Sequence, residues 1–244
     1  MPWRRSTARI WAAPADDRFS ADGRSTTPRR PRRTRAAGTV LRHPGHPRAR
    51  TVTGCAIAPD GTWLVTTCSD GLARIFLPGN GKARTVLAGH TGPVLGCAIA
   101  PGGEWLATAG ADGTARLWNP RGGPATTILD GHRGPVQACA VSTGGEWLAG
   151  VGRDARVRVW DVAGGSTRSV LTGHEAPVLG CAVARDSDLL ATVSGDGVAR
   201  IWSVPDGECL TMTRVDGPLR SCAWGPAGLL VLGGTGGTYV WQLR

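Results

Sequence analysis

The sequence predicts an all-β protein assembled from about five small antiparallel sheets of one design, each with four strands. Three observations predict it. A block of 42 residues recurs almost verbatim: His90, His132 and His174 open successive copies, and Cys55, Cys97, Cys139, Cys181 and Cys222 follow at intervals of 41 or 42. Self-similarity at such a period marks stacked supersecondary units. Within each copy, turn residues cut the chain into four runs of strand length. Polarity also rises from the first run to the last, as expected if the first strand faces a crowded centre and the last meets water.

One copy shows each element. Residues 93–100 are almost wholly apolar and read as the inner strand. A Pro-Gly-Gly turn precedes residues 104–109, the second strand. Ala111-Asp112-Gly113 is a turn signal before residues 114–118, where Ala115 and Leu117 alternate with Thr114, Arg116 and Trp118. Residues 125–129 are richer in Thr and suit an outer edge. Trp118 recurs at Trp160, Trp202 and Trp241, with Phe76 in its place one copy earlier.

These residues resemble the WD-repeat (WD40) family. The marks are Gly89-His90, Gly131-His132 and Gly173-His174; Asp70-Gly71, Asp112-Gly113 and Asp196-Gly197; and the terminal Trp, with the literal pair once, at Trp160-Asp161. The resemblance covers roughly residues 39–244. It implies a β-propeller of about five four-stranded blades, and a ring closed by pairing an N-terminal strand with the last blade. Residues 39–42 have the outer-strand composition, and the last unit lacks such a strand, so they are the expected closing strand. Residues 6–11 repeat the third-strand pattern of residues 113–118 and read as a stray strand. Residues 1–38 otherwise read as a basic, Arg- and Pro-rich segment, largely disordered, and the chain reads as the later part of something once longer.

Charge separates the two regions. The net charge is +10, and residues 1–50, with 13 Arg against 3 Asp, account for all of it. The repeats are neutral, which argues against nucleic acid as their partner. An RNA- or DNA-binding role through the Arg-rich residues 29–35 is the alternative reading. Five of the seven cysteines occupy one repeat column, and no metal-ligand spacing occurs, so they read as structural thiols in a reducing compartment. No apolar run suits a signal core or a membrane span. A cytoplasmic monomer with no membrane contact is expected, and neither cofactor nor metal.

The chemistry-bearing residues repeat as well. A set such as His90, Thr108 and Asp112 resembles a catalytic triad, but an enzyme needs one site and not several copies. The family resemblance implies instead a structural hydrogen-bonded tetrad, complete at His90, Thr108, Asp112, Trp118 and at His174, Thr192, Asp196, Trp202. His132, Asp154 and Trp160 form a third set, in which Gly150 replaces the Thr. Phe76 leaves the first unit without an indole donor. Gly79-Asn80-Gly81-Lys82 and residues 233–237 fail the spacing of nucleotide-binding loops and read as turns. The Arg column at Arg74, Arg116, Arg158 and Arg200 reads as stems packed along the sheet with their charges outside.

Binding is expected where copies differ while their neighbours do not. After Gly-His the chain reads Thr91, Arg133, Glu175; before the turn Asp it reads Ser69, Ala111, Arg153, Gly195. Ser69, Thr91, Arg133, Arg153 and Glu175 therefore mark a partner-binding face, and no catalytic residue is expected. The reading is a non-catalytic protein-interaction scaffold. Closely repeated arrays ending in a Gly-rich unit also resemble the sensor ends of bacterial signalling ATPases of the NB-ARC type, which implies a regulatory setting.

Overall fold

The computed structural model describes residues 51–78, 81–185 and 187–243, together with the backbone of a strand at Ile10–Ala12. That strand is β1. Blade 1 holds β2 (Val52–Ile57), β3 (Leu64–Cys68), β4 (Leu72–Phe76) and β5 (Ala83–Ala88). Blade 2 holds β6 (Val94–Ile99), β7 (Leu106–Gly110), β8 (Ala115–Trp118) and β9 (Thr127–Leu129). Blade 3 holds β10 (Val136–Val141), β11 (Trp147–Gly152), β12 (Val157–Asp161) and β13 (Thr167–Leu171). Blade 4 holds β14 (Val178–Val183), β15 (Leu189–Ser194), β16 (Val198–Ser203) and β17 (Glu208–Arg214). Blade 5 holds β18 (Leu219–Trp224), β19 (Leu229–Gly234) and β20 (Gly237–Gln242). Every pairing is antiparallel. The result is the five-bladed propeller architecture that the repeats predict.

Burial corrects the expected polarity gradient. The middle strands are the most buried, with every residue of β7 and β11 enclosed, whereas β6 is only half-buried beyond Val94. The reason is geometric. Second and third strands are sandwiched between neighbouring blades, while first strands line the open centre. Each junction repeats one apolar set: Ala107, Ala109 and Leu117 of blade 2 lie in a cluster with Leu148 and Trp160 of blade 3. Small residues let inner strands approach closely. A Cβ on Gly54 would lie 3.6 Å from the Gly96 Cα, and one on Gly96 would lie 3.4 Å from the Ala138 Cα.

The closing strand is a correction. The place beside β20 is taken by β1, with Ile10 opposite Trp241 and Ala12 opposite Tyr239. Residues 39–42, expected there, lie outside the described residues, as do most of residues 1–38 and the Arg-rich residues 29–35. An N-terminal strand thus pairs with the last blade, as the resemblance implied. Inner strands pack in series, β2 on β6, β6 on β10, β10 on β14 and β14 on β18, and no comparable packing joins β18 to β2 among the described residues. Ile57 of β2 stays 71% exposed.

Candidate functional site

In blade 2 the structure brings the four predicted residues into one chain of hydrogen bonds. The Trp118 indole N–H donates to Thr108 Oγ1 at 2.8 Å, and that hydroxyl sits 2.7 Å from His90 Nε2. His90 Nδ1 lies 2.9 Å from an Asp112 carboxylate oxygen. A neutral imidazole with its proton on Nδ1 satisfies every member: indole to hydroxyl, hydroxyl to Nε2, Nδ1–H to carboxylate. Burial lowers the His90 pKa, against the pull of Asp112, so the neutral form is favoured. Burial alone would raise the Asp112 carboxyl, but hydrogen bonds from His90 and Thr114 outweigh it and hold it below the usual carboxylate range.

Blade 4 repeats the inner half and opens the outer. The Trp202 indole and His174 Nε2 each lie 2.8 Å from Thr192 Oγ1. His174 Nδ1 is 3.8 Å from Asp196 and makes no hydrogen bond among the described residues. Burial, opposed by Asp196 and helped by Arg200, pushes the His174 pKa down to about 4. Asp196 is spent instead on the backbone N–H groups of Val198 and Glu175, which lower its pKa against the effect of burial.

Blade 3 keeps the His–Asp contact but not the relay. His132 Nδ1 lies 2.9 Å from Asp154, while its Nε2 faces the Gly150 carbonyl at 3.3 Å. With no hydroxyl available, the Trp160 indole donates to the Asp130 carbonyl at 3.0 Å. Its ring fills the space of the missing side chain: a Cβ on Gly150 would meet Trp160 carbons at 2.6 and 2.7 Å. Blade 3 also places Ala155 where blades 1, 2 and 4 have Gly71, Gly113 and Gly197, and Ala155 holds the same positive φ, 60°.

Blade 1 corrects the reading of the Arg column. Arg74 is 2% exposed, and its guanidinium grips Asp70 at 2.7 and 3.2 Å. Its charge lies inside, joined to the turn Asp. Burial would raise the Asp70 carboxyl, but Arg74 and the Leu72 N–H bring it below the usual range. Arg200 instead donates to the Gly173 carbonyl at 2.9 Å. His46, which precedes blade 1 in the sequence, lies outside the described residues.

The turn aspartates of blades 2, 3 and 4 all end on the same loops. The backbone N–H of Thr91, Arg133 and Glu175 is held by Asp112, Asp154 and Asp196, at 3.1, 3.1 and 3.3 Å. The Arg153 N–H donates to the Pro135 carbonyl at 3.1 Å, so the two variable loops of blade 3 are sewn together. Arg133, Arg153 and Glu175 are exposed, Thr91 is exposed, and Ser69 is half-buried. Successive blades join here too. A Cβ on Gly113, whose φ is +83°, would lie 3.4 Å from the His132 and Gly134 carbonyls of the next blade. The predicted residues therefore lie along one loop edge of the blades, with variable side chains on loops pinned by side chains that recur.

Repeats matching the WD domain, G-beta repeat, span residues 38–76, 81–119, 123–161 and 165–203, well over half of the chain. The chain belongs to the WD-repeat family. The last three matched repeats each run from the outer strand of one blade through the third strand of the next, as residues 81–119 include β5 and then β6 to β8. WD repeats generally mediate protein interactions as scaffolds. The comparison with curated proteins gives no match. Among the described residues no group of side chains suits a metal ion, all seven cysteines are unpaired thiols, and no helix is long and apolar enough to cross a membrane.

Proposed function

We propose that this chain is a non-catalytic protein-interaction scaffold whose binding face is the loop edge carrying Ser69, Thr91, Arg133, Arg153 and Glu175. The observation that carries the reading is how the polar residues are spent. His90, Thr108 and Asp112 have a catalytic composition, but their hydrogen bonds are used to hold a loop, and each half recurs elsewhere, the His–Asp–loop half in blade 3 and the His–hydroxyl half in blade 4. What remains free on those loops is a set of exposed side chains that differ from blade to blade. Arg133 and Arg153 together suit an acidic segment of a protein partner. The regulatory setting implied by the resemblance, the sensor end of a bacterial signalling ATPase in the cytoplasm, fits a scaffold with unpaired thiols.

Crosslinking of the tagged chain in cell extract, with Arg133→Glu/Arg153→Glu beside it, tests the proposal. Arg168→Glu/Arg185→Glu, on the opposite loop edge, serves as control. A partner captured by the parent and the control, and lost by about tenfold or more from the loop variant at equal melting temperature, is the expected outcome. Equal capture by the loop variant overturns the assignment of this face. The charge excess ahead of the repeats supports one rival, nucleic-acid binding through residues 29–35. Salt-sensitive retention of RNA that disappears on removing residues 1–38 would favour it.

A further inference from the structure

On the loop edge opposite the proposed face, a groove of about 460 Å³ opens between blades 1 and 2. Its floor holds Trp63 and Ile75, and its walls carry Arg84 from blade 1 and Glu104, Asn119 and Arg121 from blade 2. The repeats themselves show why it opens at this junction. In blade 3 the Val162 N–H donates to the Glu146 carbonyl at 2.9 Å, and in blade 4 the Val204 N–H donates to the Asp188 carbonyl at 3.1 Å. Each bond ties the loop after the third strand to the preceding turn, and each valine packs into the junction cluster beneath it. The same column in blade 2 is Pro120, which has no N–H to donate. The tie cannot form, and Pro120 lines the groove instead of plugging it.

The charges are peculiar to this junction as well. One column holds Arg84, Thr126, Arg168 and Leu210, the other Arg121, Ala163 and Pro205, so two arginines face one groove only here. Neither Arg84 nor Arg121 is among the ion pairs of the described residues. The Asn119 side-chain oxygen Oδ1 accepts the Arg121 backbone N–H at 2.8 Å, which leaves the side-chain NH2 of Asn119 as a further donor. Glu104 curls back over its own turn, where its carboxylate occupies the space of a Cβ on Gly102. The groove thus offers two guanidinium groups and an amide above an apolar floor.

We propose that this groove is a second docking site, for a short acidic peptide segment that carries one apolar side chain. Carboxylates of the segment pair with Arg84 and Arg121, and its apolar side chain lies over Trp63 and Ile75. Arginine forks suit carboxylates bidentately, and an aromatic floor favours one apolar anchor. The site is independent of the variable loop face. A partner could bind both edges, or different partners could each take one.

Fluorescein-labelled peptides Glu-Glu-X-Glu-Glu, with X as Leu, Phe or Trp, test it by polarisation against the full chain, with Lys in place of Glu as control. The expected dissociation constant for the best acidic peptide is about 10–100 µM, fitting a small interface with two charge-assisted contacts. Arg84→Ala/Arg121→Ala should weaken binding by about tenfold or more. The decisive variant is Pro120→Val, which supplies the missing N–H and plug. It should abolish binding while leaving Arg84 and Arg121 in place, and the fold should melt no lower. Absence of binding by all three acidic peptides, binding by the Lys peptides alike, or full binding by Pro120→Val would each overturn the proposal. Arg133→Glu/Arg153→Glu should leave this binding unchanged, which separates the two faces.

Discussion

Blades 2 and 3 present the same histidine, aspartate and tryptophan, yet only blade 2 joins all of them through a hydroxyl. Thr108 stands between Trp118 and His90 at 2.8 and 2.7 Å. In blade 3 the corresponding residue is Gly150, and the indole of Trp160 turns to a backbone carbonyl instead. The rings are no farther apart for it: His90 and Trp118 centroids lie 6.2 Å apart, His132 and Trp160 5.7 Å. What differs is connection, not proximity. Both blades still pin the residue after the histidine, at equal 3.1 Å bonds. The loop-holding half of the network therefore survives loss of the core half, and blade 3 combines a looser relay with the two exposed arginines.

The largest effect should come from breaking the node in blade 2. Thr108→Val strands the Trp118 N–H and the His90 Nε2 in a buried site, which should cost about 2–4 kcal/mol in urea unfolding. Asp112→Ala should cost a similar amount and Asp196→Ala distinctly less, since His174 makes no bond to Asp196 at 3.8 Å. Blade 3 can be broken in the opposite way, by adding atoms. Gly150→Ala puts a methyl group into the Trp160 ring and should destabilise by about 1–3 kcal/mol through overpacking.

Acid should separate blade 4 from the others. His174 is held near 4, below its ordinary 6.5, so the unfolded chain binds that proton first. Stability should be flat above about pH 6.5, fall as pH drops toward 4, and fall further below the ordinary carboxylate range as Asp112, Asp154 and Asp196 protonate. His174→Gln should make the segment between 6.5 and 4 shallower, the remainder coming from His90, whose pKa burial also lowers; an unchanged slope there would count against the buried neutral imidazole. The smallest effect is a gain. Ala155→Gly relieves a positive φ of 60°, and melting should show about 0.5–1 kcal/mol of added stability.

The repeat period makes much of this legible, because it alone places His90, Thr108, Asp112 and Trp118 in columns. Column identity also flagged Gly150 as a departure. It did not show where the freed indole would go, since that depends on which carbonyl lies within reach. The buried Arg74–Asp70 pair was hidden for a similar reason: an Arg in a repeat column reads as a solvated stem until its neighbours are known. The identity of the N-terminal strand beside β20 was the least legible. Residues 39–42 carry the outer-strand composition, yet composition does not fix which strand reaches the β20 edge, and β1 holds it. The groove at Pro120 was readable in principle: its column reads Pro78, Pro120, Val162, Val204 and Leu243, so where blade 2 meets blade 1 a proline stands in place of the valines of blades 3 and 4.

The relay itself is best tested by double-mutant cycles in urea unfolding, His90→Leu with Trp118→Phe in blade 2 and His132→Leu with Trp160→Phe in blade 3. If Thr108 connects the first pair and nothing connects the second, the coupling energy should be about 1 kcal/mol in blade 2 and near zero in blade 3. Equal coupling in both, or none in blade 2, would mean that ring contact alone joins these residues and that the hydroxyl relay is not what holds the blade.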